Sequence, residues 1–428
     1  MDLSGAPVPV ALLRGHTHPV TSLRFYNAFL VSGDESGWVF WWSLVTRRPL
    51  AIWKAHHEAI LSLVWMDETH LLTQGRDDKL YVWRLELDAQ GKSGLSVKPP
   101  SSLVADDPTD YPKPWLTYSL TVNSLNFCQV AWVNGLLAKP DLDSSDKVEL
   151  LEWTDGAFRV VWNDIYPRLN GIKTGIVMDL NIMNKKLIVG YEGGAVAVFD
   201  ISDRNRYTPV LNYYVVSHVQ PVLSVRAHPT KKEFVSSSAD SLIVKHPIKD
   251  QVVPEEEMEE PEPAKNSERP PSPKIVEVED SPELEPPKNV VRGFDVPGLE
   301  LDEGIEVKEE EKPESKPLDA VNVRHSGLSS LQLDSDGDLI MTAGWDGKVR
   351  LFTYDDISKV SVFHEREGVG CVAFSTPTTS DTANPRLAKA LTTRWIAVGG
   401  KDGKIELYTI QQGNEKTLGE GRSKYIRH

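Results

Sequence analysis

Cysteine is almost missing from this chain: Cys128 and Cys371 are the only two in 428 residues. No disulfide framework holds such a fold, and a reducing compartment suits it. Long apolar runs are missing too. The best stretch, residues 187–201, carries Glu192 and three glycines and falls short of the ~18 residues of a membrane-spanning helix. Residues 1–9 lack the basic start and apolar block of a secretory signal. A soluble, intracellular protein is expected, with no membrane contact. Positive charge is also scarce. Against 62 acidic residues stand 47 basic ones, a formal charge of −15, which argues against a general nucleic-acid binder because phosphates are repelled by such a sum.

The acidity is concentrated. Residues 254–316 hold 21 acidic and 8 basic residues, a net of −13, and 11 of the 29 prolines. The other 365 residues hold 41 acidic and 39 basic, a net of −2. Phe294 is the one aromatic in the stretch. A segment so poor in apolar side chains buries too little surface to offset its ordering entropy, so a disordered acidic insert is expected over 251–318. Ser272 and Ser281, each followed by proline, are candidate phosphorylation sites within it; added charge there would suit an Arg/Lys cluster on another protein.

What is present in abundance is repetition. A small residue plus His opens a phrase, a short alternating stretch follows, then a Gly/Asp turn, then an apolar run ending on an aromatic position. Copies start at His16, His56, His218, His325 and His364 and end at Trp42, Trp83, His246, Phe352 and Tyr408. The spacings are 26, 27, 28, 27 and 44, the last stretched by a Thr/Pro-rich excursion between Ser375 and Arg394. Two further copies without His end near Leu151 and at Phe199. Period-two alternation broken by turn residues predicts short antiparallel strands, with both cysteines in strand-like core runs.

This pattern resembles the WD40 repeats, whose four-stranded blades close into a β-propeller. Seven copies fit the chain outside the insert at about 52 residues each. The resemblance implies an all-β, seven-bladed propeller over residues 1–250 and 319–410, with 411–428 as a C-terminal tail. It also implies buried His–Ser/Thr–Asp–Trp hydrogen-bond networks. His56, Thr73, Asp77 and Trp83 form the most complete set, and Asp240, Asp346 and Asp402 occupy the same turn position in other copies. Ser36 and Gly193 stand there in two more. The one literal Trp-Asp pair, Trp345-Asp346, falls in a turn. Strand counting predicts closure: the last copy lacks a fourth strand, and residues 8–13 are an unassigned apolar strand able to supply it.

Signals for chemistry are weak. The repeat accounts for five of the eleven histidines, and His16-x-His18 and His56-His57 have no metal-spaced partners. The Gly399–Lys404 run lacks the spacing and the following helix of a phosphate loop. No nucleophile elbow occurs. No catalytic, cofactor or metal site is expected, and no small-molecule substrate. Trp38 and Phe40 in the first copy read first as interblade core, because blades pack on both faces; the other reading makes them candidate partner-binding residues, as are Tyr111 and Trp115 in a Pro-rich loop, 106–115, placed between blades.

Over its whole length the order of motifs is similar to the fungal ASTRA-associated WD-repeat family, related to the G-protein β-subunit-like proteins of animals. The motifs are Arg14-Gly15-His16, Trp41-Trp42-Ser43, Trp83-Arg84, a late acidic insertion and a closing Gly399-Gly400-Lys401-Asp402-Gly403-Lys404. That resemblance implies a nuclear, and secondarily cytoplasmic, scaffold among the protein subunits of the ASTRA and co-chaperone assembly. Chromatin regulation and maturation of phosphatidylinositol-3-kinase-related kinases would be its settings, without direct nucleic-acid contact. The alternative is a ubiquitin-ligase substrate receptor, whose Trp-Asp-x-Arg motif is poorly matched by Trp83-Arg84-Leu85-Glu86.

Overall fold

A computed structural model describes residues 8–100, 111–125, 127–169, 173–249, 316–324, 327–364, 368–379, 381–412 and 425–426. They belong to one unit, formed by residues 1–250 and 313–428; a second unit, 251–312, lies outside the described residues.

Seven antiparallel sheets make the first unit a β-propeller. Blade one holds β2 (Val20–Tyr26), β3 (Phe29–Asp34), β4 (Trp38–Ser43) and β5 (Arg48–Lys54). Blade two holds β6 (Ile60–Trp65), β7 (His70–Gly75), β8 (Lys79–Arg84) and β9 (Trp115–Thr121). Blade three runs β10 (Ala131–Val133), β11 (Leu136–Pro140), β12 (Val148–Thr154) and β13 (Ala157–Ile165). Blade four runs β14 (Val177–Met183), β15 (Lys186–Tyr191), β16 (Ala195–Asp200) and β17 (Val210–Val216). Blade five comprises β18 (Val222–Ala227), β19 (Glu233–Ser238), β20 (Leu242–Pro247) and β21 (Asp319–Asn322). Blade six comprises β22 (Leu328–Leu333), β23 (Leu339–Gly344), β24 (Lys348–Thr353) and β25 (Lys359–His364).

Blade seven takes β26 (Val369–Phe374), β27 (Arg394–Gly400) and β28 (Lys404–Gln412) from the end of the chain and β1 (Ala11–Arg14) from its start. β1 pairs antiparallel to β28, with Ala11 opposite Leu407 and Leu13 opposite Ile405. The unassigned strand of the sequence therefore closes the ring. A short β29 (Tyr425–Ile426) extends β28 by pairing with Gln411 and Gln412.

The first strand of each blade lines the centre, and neighbouring first strands touch: β2 meets both β6 and β26, and β14, β18 and β22 follow one another. Burial reports this geometry. The second and third strands are covered by the adjacent blade on each face, so β4, β15 and β23 are buried at every residue. Outer strands such as β9 and β21 are largely open. That double covering explains why residues 187–201 read as a continuous apolar run: they are β15 and β16, buried on both sides. Two-residue hairpins such as Asn134-Gly135 and Asp155-Gly156 take positive φ at both positions, the turn whose twist matches antiparallel strands.

Three expectations need correction. The excursion between Ser375 and Arg394 holds an α-helix, α1 (Pro385–Thr392), capped by the Asn384 side chain on the N–H groups of Arg386 and Leu387. Its Leu387, Ala390 and Leu391 pack into the core shared by blades one and seven; an N-cap residue followed by Pro at N1 is the signal that predicts it. Cys128 lies just before β10, not within a strand, though both cysteines are buried. The loop 106–115 connects β8 to β9 inside blade two, because β9 is that blade's own fourth strand; its residues 106–110 lie outside the described ones. So do residues 250–315, with Ser272 and Ser281 among them. No helix among the described residues is long and apolar enough to cross a membrane.

Candidate interaction surfaces

The buried polar ties differ from blade to blade. In blade two, His56 Nδ1 faces Asp77 Oδ1 at 2.8 Å, His56 Nε2 meets Thr73 Oγ1 at 2.8 Å, and Trp83 Nε1 donates to Thr73 Oγ1 at 2.9 Å. One protonation scheme satisfies all three: His56 donates from Nδ1, and the Thr73 hydroxyl donates to Nε2 while accepting from the indole. Burial alone would raise the Asp77 carboxyl, but bonds from His56 and the His57 N–H hold it below the usual carboxylate range. Gly75 is required here, since a Cβ would lie 2.3 Å from His56 Nδ1 and 2.4 Å from Asp77 Oδ1.

Blade one is equally complete, which corrects the ranking drawn from sequence. His16 Nδ1 lies 2.8 Å from Asp34 Oδ2, His16 Nε2 lies 2.7 Å from Ser32 Oγ, and Trp42 Nε1 donates to Ser32 Oγ at 2.8 Å. The aspartate comes two residues before Ser36, from the end of β3, and Ser36 N–H and Trp38 N–H donate to its other oxygen. In blade five His246 replaces the indole. Tyr213 OH meets His246 Nδ1 at 3.0 Å, His246 Nε2 meets Ser236 Oγ at 2.8 Å, and His218 spans Ser236 at 2.8 Å and Asp240 at 3.1 Å. Burial lowers both histidines; Asp240 opposes the shift at His218, while the charge of His218 adds to it at His246.

Elsewhere ion pairs take over. Asp346 binds Arg350 in blade six and Asp402 binds Lys404 in blade seven. Blade three buries Lys139 against Glu149, and blade four holds Lys186 to Asp200 at 2.6 Å. His325 lies outside the described residues.

The aromatic contact candidates separate sharply. Trp38 is 8% exposed, Phe40 0% and Tyr111 4%, all within the core shared by blades one and seven. Phe40 stacks on Trp42, and Trp38 meets Tyr111 edge-on at 4.7 Å between centroids. As partner-contact residues these three are corrected: the third strand is covered on both faces, and the β8–β9 connection folds Tyr111 onto it. Trp115, in contrast, is 76% exposed, beside half-open Leu116. Trp83 is buried and Arg84 pairs with Glu86 at 2.5 Å, so no Trp-Asp-x-Arg surface forms at 83–86.

A second group escaped the sequence reading. Exposed Leu125, Phe127, Leu142, Val219 and Trp345 all lie in blade-to-blade links or in turns between second and third strands. Alternating strands place those connections on one face of the ring. Phe127 lies under the Arg76 guanidinium at 4.3 Å. Large apolar residues at turn positions are the signal that would have found them. Among the described residues, no group of three or more His, Cys, Asp or Glu is arranged to hold a metal ion.

Residues 7–43 and 319–353 match the WD40 family, described as WD domain, G-beta repeat. The crystal structure of the computationally designed Ika8 protein shares the fold, with a TM-score of 0.50 and 13% identity over 94% of this chain and 99% of that one. Curated relatives match nearly end to end. ASTRA-associated protein 1 of Pyricularia oryzae is 30% identical over 96% of this chain and 100% of its own. The Penicillium rubens protein of the same name is 29% identical over 96% and 99%, and that of Schizosaccharomyces pombe 25% over 86% and 93%. With WD40 repeats, a seven-bladed ring and this mutual coverage, the chain belongs to the ASTRA-associated protein 1 family.

Proposed function

We propose that this chain is a non-catalytic scaffold subunit of the ASTRA complex, acting through protein contacts in the nucleus. The observation that carries the reading is the end-to-end correspondence with relatives named for that association. A rigid propeller supports it physically: its links and turns present Leu125, Phe127, Leu142, Val219 and Trp345 on one face without reorganisation. Chromatin regulation and co-chaperone-assisted maturation of phosphatidylinositol-3-kinase-related kinases are the settings in which the scaffold acts. Contact with chromatin is indirect, because the propeller residues are nearly neutral and the acidic insert repels phosphate.

Affinity purification of the tagged chain followed by mass spectrometry tests this. The expected result is stoichiometric recovery of the large helical-repeat proteins of the co-chaperone assembly, lost when Phe127 and Trp345 are changed to serine. Recovery of ubiquitin-ligase adaptors in their place, or tight salt-sensitive DNA binding by the purified chain, overturns it.

A further inference from the structure

The centre of the propeller is a channel lined by the seven first strands and the residues leading into them. It encloses about 130 Å³, the room of about four waters at ~30 Å³ each. That is far below the ~300 Å³ at which pockets for organic ligands begin. The charged side chains that line it are Arg24, Arg226 and Asp179. Arg24 and Arg226 hold equivalent ladder positions, opposite Val31 in blade one and Val235 in blade five.

Asp179 is committed to one of the two arginines. Its Oδ2 accepts from Arg226 Nη1 at 2.5 Å and from Val225 N–H at 2.8 Å, stitching blade four to blade five. Arg24 has no hydrogen bond or ion pair among the described residues, and it stays open to the channel. Enclosure by the ring, and then the neighbouring Arg226 charge, push its guanidinium down to about 10. At neutral pH it is still a cation, so the channel carries two positive charges against one negative.

The remaining polar lining offers donors. The carboxamide oxygen of Asn181 accepts from Ala227 N–H at 3.3 Å, which leaves its NH₂ group as a donor. Gln129 and Gln332 line the same space, and their side chains have no hydrogen-bond partner among the described residues. An uncompensated guanidinium in a small, donor-lined, protein-walled space is the arrangement that recognises a compact anion, because attraction there is less screened than at a surface.

We propose that the central channel is a binding site for a single oxyanion, a carboxylate or a phosphate, held by Arg24 with the amides of Gln129, Asn181 and Gln332. The ligand is a free ion or one acidic side chain carried in on a partner's loop; both present the same group to Arg24. This goes beyond the scaffold reading and does not depend on which assembly the chain joins.

Calorimetric titration of the purified full chain tests the site at fixed ionic strength, with chloride as the balancing anion. One arm uses inorganic phosphate and the other a capped acetyl-Gly-Glu-Gly-amide peptide. Saturable binding of one stoichiometric equivalent is expected in at least one arm. Phosphate alone assigns a free ion, and the peptide alone assigns a partner's side chain. Arg24→Gln should weaken the binding at least tenfold and Arg24→Lys should retain part of it. Asn181→Leu, on blade four and not blade one, provides an independent variant should Arg24→Gln melt without cooperativity, and should also weaken binding. Absence of saturable binding in both arms at millimolar concentration overturns the proposal. So does unchanged affinity in the folded Arg24→Gln variant or, where that variant does not fold, in Asn181→Leu.

Discussion

His16 and Asp34 meet at 2.8 Å, with the aspartate eight residues before Trp42, where the corresponding pair His56 and Asp77 places it six before Trp83. The same tie is thus reached from a different point in the turn. Asp34 also receives the N–H groups of Ser36 and Trp38, so it holds the β3–β4 turn as well as the histidine.

Asp34→Ala should therefore destabilise the fold by about 1–3 kcal/mol, the cost of leaving buried donors unsatisfied. Asp77→Ala and His56→Ala should fall in the same range. Ser36→Ala should cost well under 1 kcal/mol. Urea unfolding of the four variants checks the ranking. Equal effects of Asp34→Ala and Ser36→Ala would show that Asp34 carries no special tie.

Acid should act through blade five. The neutral relay from Tyr213 through His246, Ser236 and His218 to Asp240 assigns every proton once. Both histidines have folded pKa values below the usual 6.5, from burial first. The unfolded chain then binds more protons as pH falls. Stability is fully present above ~6.5 and is lost below it, at up to about 1.4 kcal/mol per pH unit for each histidine. His246→Trp restores an indole donor to Ser236 and removes one titrating group. Its stability, measured by denaturant between pH 7.5 and 5.5, should fall less steeply than that of the parent chain.

Ring closure yields a third expectation. β1 covers the open edge of β28, and Leu13 is buried between blades one and seven. Removing residues 1–14 exposes that ladder and deletes a core leucine, itself worth ~2–5 kcal/mol. Loss of cooperative melting or of soluble expression is expected. A truncated chain that melts as sharply as the parent would show that the ring holds without its closing strand.

Much of this was legible because repeats announce themselves. The spacing from His56 to Trp83 and the surplus strand before His16 fix the blades and their closure. What sequence hid has physical causes. Asp34 was overlooked because turn geometry, not fixed spacing, decides which carboxylate reaches a histidine. The core reading of Trp38 and Phe40 holds, but their partners are hidden in sequence because the covering neighbour, blade seven, comes from the far end of the chain. The guanidinium of Arg24 is an unremarkable strand residue until seven first strands are drawn around one axis.

The acidic insert offers a fourth test. It leaves from β20 and returns to β21, strands that pair directly with Lys245 opposite Asp319. A short turn can span that gap, and the cost of closing a longer loop grows only with the logarithm of its length. Replacing residues 254–316 by a four-residue Gly/Asn turn should shift the melting temperature by no more than ~2–4 °C, which is about 1 kcal/mol for a large domain. A much larger drop in calorimetry would mean that the segment packs on something.

Trp115 and Trp38 separate contact from core. Trp38 is packed against Tyr111 and lies beneath Lys54 Nζ at 5.8 Å, so Trp38→Ala should cost ~3–5 kcal/mol through the cavity it leaves. Trp115 starts an outer strand with its ring in solvent. Its backbone pairs with Arg84 whatever the side chain, so Trp115→Ala should change stability by less than ~0.5 kcal/mol. Should the outer edge of blade two meet a partner, a buried tryptophan there is worth 2 kcal/mol or more of binding, and recovery of partners in the affinity purification should fall at least tenfold. Unchanged stability together with unchanged partner recovery would remove Trp115 from the contact surface. The links and turns that carry Leu125, Phe127, Leu142, Val219 and Trp345 would then remain to hold the partner.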